Sequence, residues 1–158
     1  MKKVICLILV FCLAYACKSK SATNTKLDNK TEVALKGNWK ISSVNFPGSE
    51  YIKVTSFNIA DSKCFVDSEW NFISNNNKGS MVLKKNGCRS YSIPITWYIN
   101  KEGNMILKFL DEGIKSKNVK EGYIVKVSNV SETTFQLIDK INVGGKLTDV
   151  VYQFQKIN

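Results

Sequence analysis

From Tyr91 to Ile99 the chain alternates with a period of two: Tyr91, Ile93, Ile95, Trp97 and Ile99 fall on one face of a strand, and Ser92, Pro94, Thr96 and Tyr98 on the other. The first set must face a core. Asn100-Lys101-Glu102-Gly103 then reads as a turn, and Met105, Leu107 and Phe109 alternate with Ile106, Lys108 and Leu110 on a returning strand, which makes a hairpin. Pro94 carries no amide hydrogen, so a bulge or an unpaired stretch is predicted there.

The same alternation recurs along the chain, at Trp39 and Ile41, Trp70 and Phe72, Met81 and Leu83, Tyr123 to Val127, Phe135 and Leu137, and Val150 to Phe154. Clusters of Gly, Asn and Asp separate these runs, giving strands near residues 40, 70, 82, 95, 107, 125, 136 and 151. No segment reads as a long amphipathic helix. Successive antiparallel strands without covering helices must bury their apolar face on the sheet itself. Closure into an eight-stranded up-and-down β-barrel does this and removes the edges. A β-sandwich is the competing architecture; short sequential hairpins favour the barrel. Residues 49–67 form either an extra strand or a lid, with one or two helical turns over 59–66.

The N-terminus carries a different signal. Lys2 and Lys3 precede an apolar run over residues 4–13, followed by Ala14-Tyr15-Ala16-Cys17, the layout of an exported chain's signal peptide. The run is too short to span a membrane as a mature helix. A cysteine directly after Ala16 resembles the lipobox of bacterial lipoproteins, which implies cleavage after residue 16 and acylation of Cys17; an ordinary secretory signal is the alternative. Three segments follow: residues 1–16 as signal peptide, 17–34 as an acylated N-terminus and flexible polar tether, and 35–158 as one domain.

Export constrains the chemistry. The leader removes Cys6 and Cys12 and acylation occupies Cys17, so Cys64 and Cys88 are left to form one disulfide in an oxidising envelope, free buried thiols being the alternative. Two sulfurs in a chain with no histidine fall short of a metal site, and nothing in the pattern asks for a cofactor. The missing imidazole also removes the commonest general base. Asp61, Asp67, Glu69, Asp111 and Glu112 cluster without a catalytic spacing, so the chain is not expected to be an enzyme. The formal charge of +10 reads as lysines on alternate, water-facing strand positions, and a nucleic-acid partner is not expected of a tethered envelope protein.

Gly37-Asn38-Trp39 at the head of the first strand resembles the Gly-x-Trp signature of lipocalins, in which the tryptophan plugs the closed end of the barrel. Leu35 to Ile41, Cys64, Ser68-Glu69-Trp70-Asn71-Phe72, Cys88 and Tyr152-Gln153-Phe154, behind a lipobox and a polar tether, are together similar to the lipocalin-like lipoproteins of Gram-negative bacteria over residues 35–158. Two features depart from the wider lipocalin pattern. Thr148-Asp149 begins the last strand instead of lying in a late loop, and Arg89 beside Cys88 is the only arginine, which leaves the partner of Trp39 open, with Lys156 or Gln153 as candidates in place of a closing arginine.

The resemblance implies a barrel that either fills itself with side chains or holds one small ligand. Gly37 and Trp39 are the closing signature. Trp70, Phe72, Trp97, Tyr123, Tyr152 and Phe154 are the residues expected to line a cavity for an apolar or lipid-like molecule. The expected protein is a monomer held to the membrane through acylated Cys17, an outer-membrane lipoprotein facing the periplasm, because Lys18-Ser19-Lys20-Ser21 lacks an acidic surface-export cluster. The alternative is a protein-interaction module, an inhibitor or assembly factor that meets an envelope partner through loops at 75–79 and 111–122.

Overall fold

Period-two alternation becomes burial strand by strand. The computed structural model describes residues 29–48, 52–110, 119 and 122–157. A short helix, α1 (Asn29–Leu35), leads into β1 (Gly37–Asn45), and two minor strands follow, β2 (Thr55–Ser56) and β3 (Ala60–Asp61). A single 3₁₀ turn over Ser62–Phe65 comes next. Then come β4 (Glu69–Ile73), β5 (Lys78–Leu83), β6 (Tyr91–Ile99), β7 (Asn104–Phe109), β8 (Tyr123–Ser128), β9 (Thr134–Val143) and β10 (Lys146–Ile157). In β6, Ile95, Trp97 and Ile99 are buried while Ser92, Pro94 and Tyr98 are exposed, as the alternation requires.

The sheet closes. Hydrogen bonding runs in the order β1-β10-β9-β8-β7-β6-β5-β4 and returns to β1, where Gly37 faces Phe72 and Trp39 faces Trp70. All eight strands read from the sequence take part, and the sandwich alternative is excluded by that last pairing. β1 serves two neighbours. An irregularity between Ile41 and Ser43 shifts its register against β10, and past the end of β4 the Ile41 amide donates to the Ser68 carbonyl at 3.1 Å.

At Pro94 the outcome differs from a bulge. The β5–β6 register runs through Ser80 and Pro94 without a break. The missing donor faces the side where the β7 ladder has already ended at Phe109, and there the Pro94 carbonyl accepts from the Leu110 amide at 2.9 Å.

Two glycines are required by the backbone. Gly37 turns the chain from α1 into β1 at φ +125°, a conformation that side-chain-bearing residues rarely adopt. Gly79 lies opposite Phe72, where a Cβ would stand 2.1 Å from the Asn71 carbonyl oxygen.

The α1 end of the barrel is sealed. Trp39 is fully buried, its indole donates to the Leu35 carbonyl at 2.8 Å, and its ring meets Phe135 edge-on at 4.7 Å. Lys156 rather than Gln153 stands against it, with Nζ 5.5 Å from the ring centroid; Gln153 bonds to Gln136 and the Phe135 carbonyl. Residues 29–34, expected within a flexible tether, belong instead to α1. Buried Glu32 accepts a hydrogen bond from the Ile99 amide at 2.9 Å, which gives this polar stretch a tertiary anchor that composition does not reveal. Cys6, Cys12 and Cys17 lie outside the described residues.

Candidate functional site

The opposite end of the barrel is closed by a loop. After β1 the chain folds back over the mouth, and Phe46, Val54, Phe57 and Phe65 all become buried on the way to β4. Residues 52–67 therefore form the lid, with a miniature hairpin and one 3₁₀ turn, and add no strand to the barrel.

Local chemistry explains the lid's path. β2 and β3 pair through Thr55 with Asp61 and Ser56 with Ala60, and the Ile59 amide donates to the Ser56 carbonyl at 3.0 Å. The two central residues, Phe57 and Asn58, have φ of +54° and +53°. Asn tolerates this left-handed region, whereas a bulky ring is a costly occupant of it, by about 1–3 kcal/mol. Burial of the Phe57 ring, 4 % exposed, offsets that cost. Asp61 caps the following 3₁₀ turn by accepting from the Lys63 amide at 2.9 Å. The Cys64–Cys88 disulfide, with Cα atoms 5.9 Å apart, ties the turn to the β5–β6 connection. Lys85 Nζ adds a bond to the Lys63 carbonyl at 2.8 Å.

Phe57 is the centre of the mouth. Its ring lies 5.2–5.4 Å from Tyr123, Phe109, Phe65 and Tyr152, stacked on the last, and 6.5 Å from Trp70. A buried hydroxyl relay sits beside it. Tyr152 donates to Ser56 Oγ, Ser56 and Ser62 share a bond at 2.5 Å, and Ser62 Oγ donates to the Val54 carbonyl at 2.8 Å. Burial drives the Tyr152 hydroxyl well above its ordinary titration range. The Asp139 charge pushes the same way, and the bond to Ser56 only partly opposes them. Asp139 itself occupies an inward, partly buried position on β9 opposite Val150. Desolvation raises its carboxyl, against the lowering effect of the Lys140 amide.

The six expected lining residues fall into two tiers. Trp70, Tyr123 and Tyr152 border Phe57 at the mouth. Phe72, Trp97 and Phe154 lie deeper, with Phe72 5.1 Å from Trp97 and Phe154 stacked on Phe135 at 4.3 Å. Trp70 joins the tiers, 6.0 Å from Phe72 and 5.7 Å from Phe154. Both buried indoles are satisfied, Trp70 by Ser68 Oγ at 2.8 Å and Trp97 by the Lys78 carbonyl at 3.0 Å. Phe57, Ser56, Ser62 and Asp139 were not singled out from sequence. The one local signal for them is an aromatic next to Asn in the connection that ends at Cys64.

The loop acids have structural partners: Asp61 caps the 3₁₀ turn, and Asp67 pairs with Lys40 at 3.5 Å on the surface. Glu69 is exposed. Asp111, Glu112 and the rest of residues 111–121, Val119 excepted, lie outside the described residues. Among the described residues, no three Cys, Asp or Glu side chains gather as metal ligands.

The profile of the lipocalin-like domain family matches residues 35–137. Among solved structures, bovine odorant binding protein in complex with a selenium-containing odorant is similar at a TM-score of 0.46 and 13 % identity, over 80 % of this chain and 73 % of that one. The same bovine protein with its natural ligand gives 0.43 and 15 %, over 79 % and 72 %. No curated protein matches the chain.

Proposed function

Because this chain belongs to the lipocalin-like domain family, we propose that it is an envelope lipoprotein whose barrel binds or carries one small apolar or lipid-like molecule through the mouth covered by the lid. A single observation carries the reading: strands and α1 seal one end of the barrel, whereas among the described residues the other is closed by a lid loop whose central plug, Phe57, is carried on a two-pair hairpin. A plug carried on a hairpin outside the barrel sheet can be withdrawn without breaking a barrel strand. The aromatic walls behind it suit a flat or amphiphilic apolar guest.

The anchor belongs to the same proposal. Acylated Cys17, followed by a polar tether that ends where α1 begins, would hold the barrel at the periplasmic side of the outer membrane, placed to take up or release molecules crossing the envelope. Replacing Cys17 with Ser should move the protein from the membrane to the soluble fraction and abolish palmitate labelling.

The test of binding is direct. Protein purified under native conditions should release an apolar compound on solvent extraction, and the emptied protein should bind an apolar fluorescent probe that the extract displaces. Neither an extracted compound nor probe binding above background would sink the reading.

A further inference from the structure

Ser56 and Phe57 are chain neighbours, and both close the mouth. The ring fills the space among Phe65, Trp70, Phe109, Tyr123 and Tyr152, and the Ser56 hydroxyl accepts the Tyr152 proton. Any movement of the β2–β3 turn that withdraws one withdraws the other. Tyr152 stays behind, held on β10 opposite Leu137 and Val44. The barrel is then left with a ring-sized apolar recess and, in its wall, a hydroxyl donor that has lost its Ser56 acceptor.

An incoming molecule has to replace both losses. A hydrocarbon ring replaces Phe57 alone and leaves the buried Tyr152 hydroxyl without the acceptor that Ser56 supplied, which is costly. Resting on the ligand-binding reading above, we propose that Phe57 is a built-in occupant of the binding site, and that the molecule displacing it is a single aromatic ring bearing an oxygen acceptor, of the phenol or aryl-alcohol class.

The lid is built for such an exchange. Two residue pairs hold its hairpin, and Phe57 sits in a left-handed backbone conformation that withdrawal of the ring allows to relax. The Cys64–Cys88 bond fixes the far end of the lid, so movement is confined to the turn. At neutral pH the Tyr152 hydroxyl holds its proton, and burial moves its titration further away, so it stays a donor.

Phe57→Gly tests the assignment, because glycine accepts the positive φ while emptying the recess. Titrated with phenol and with toluene, the full-length variant should bind phenol about tenfold more tightly than the unaltered chain and prefer phenol to toluene about fivefold. Adding Tyr152→Phe should erase that preference. Equal phenol affinity in the two chains, or a preference that survives Tyr152→Phe, would overturn the proposal.

The unaltered chain gives a second readout that needs no variant. With phenol bound, hydrogen exchange at the Ile59 amide, which donates to the Ser56 carbonyl, should accelerate, while β1 and β10 stay protected. Unchanged or slower exchange at Ile59 would count against displacement. A chain that yields an extracted compound and binds an apolar probe, yet shows no lid response to phenol, would overturn the Phe57 assignment and leave the binding reading intact.

Discussion

The carboxylate of Glu32 and the backbone amide of Ile99 meet at 2.9 Å across 67 residues of sequence, and this bond fastens α1 to the sealed end of the barrel. Because Glu32 is 4 % exposed, removing its side chain strands a buried amide. Glu32→Ala should cost about 1–3 kcal/mol in urea unfolding, whereas Glu32→Gln, which keeps an acceptor oxygen, should cost distinctly less. Equal losses in the two variants would mean that packing, not the hydrogen bond, anchors the helix.

The disulfide predicts an ordered loss of structure. Cys64 and Cys88 are 24 residues apart, and closing such a loop restricts the unfolded chain by about 3 kcal/mol. With both cysteines replaced by serine, amides of the lid at Ile59 and Ser62 should exchange freely under conditions in which β9 and β10 remain protected, because those strands share ten residue pairs, Lys146–Val143 through Gln155–Thr134. Simultaneous loss of protection in lid and barrel would show that the bond stabilises the whole domain as one unit.

Gly79 and Gly122 make a matched pair for a third test. A Cβ on Gly79 would fall 2.1 Å from the Asn71 carbonyl oxygen, which is backbone and cannot move aside as a side-chain tip can. On Gly122 the nearest atoms are Lys108 side-chain carbons at 3.5 and 3.6 Å, an ordinary contact. Gly79→Ala should therefore destabilise by about 1–3 kcal/mol, and Gly122→Ala by no more than about 0.5 kcal/mol, both measured by thermal melting against the unaltered chain.

The barrel was legible from sequence because its information is local. In β6 and β10 every second side chain enters the core, so alternation alone names the inward face of Trp97, Val150, Tyr152 and Phe154. The two ends of the barrel were not legible for the opposite reason. Seven residues are too few for a helical period to show. The isolated apolar residue Val33 turned out 64 % exposed, while Leu35 is buried and Glu32 reaches Ile99. The lid is specified by contacts far along the chain as well: Ser56 finds Tyr152 across 96 residues. Phe57 takes a turn position that propensity reserves for Asn or Gly, so no local rule could have placed its ring in the mouth. Asp139 follows Phe135 and Leu137 in the inward register, yet its charge argues against that face.

That inward acid yields the last prediction. Desolvation raises the Asp139 carboxyl above its ordinary value of 3.8, so the folded protein binds this proton more tightly than the unfolded chain does. The sign of the effect follows. Stability associated with the neutral carboxyl is fully present below about pH 3.8 and is lost as the pH rises through the elevated folded value, so at neutral pH the charge is a net cost. Asp139→Asn removes the charge and nearly preserves shape. The variant should be more stable than the unaltered chain at pH 7, and its advantage should shrink toward zero below pH 3.8. The shift should also reach Tyr152, whose raised titration owes part of its elevation to the Asp139 charge, so the alkaline fall in stability should move in the variant. Urea midpoints at acid, neutral and alkaline pH would decide it: an advantage independent of pH would mean that the gain comes from packing or bonding of the amide and not from loss of the charge, and a loss of stability at pH 7 would mean that contacts hold the carboxylate more strongly than burial penalises it.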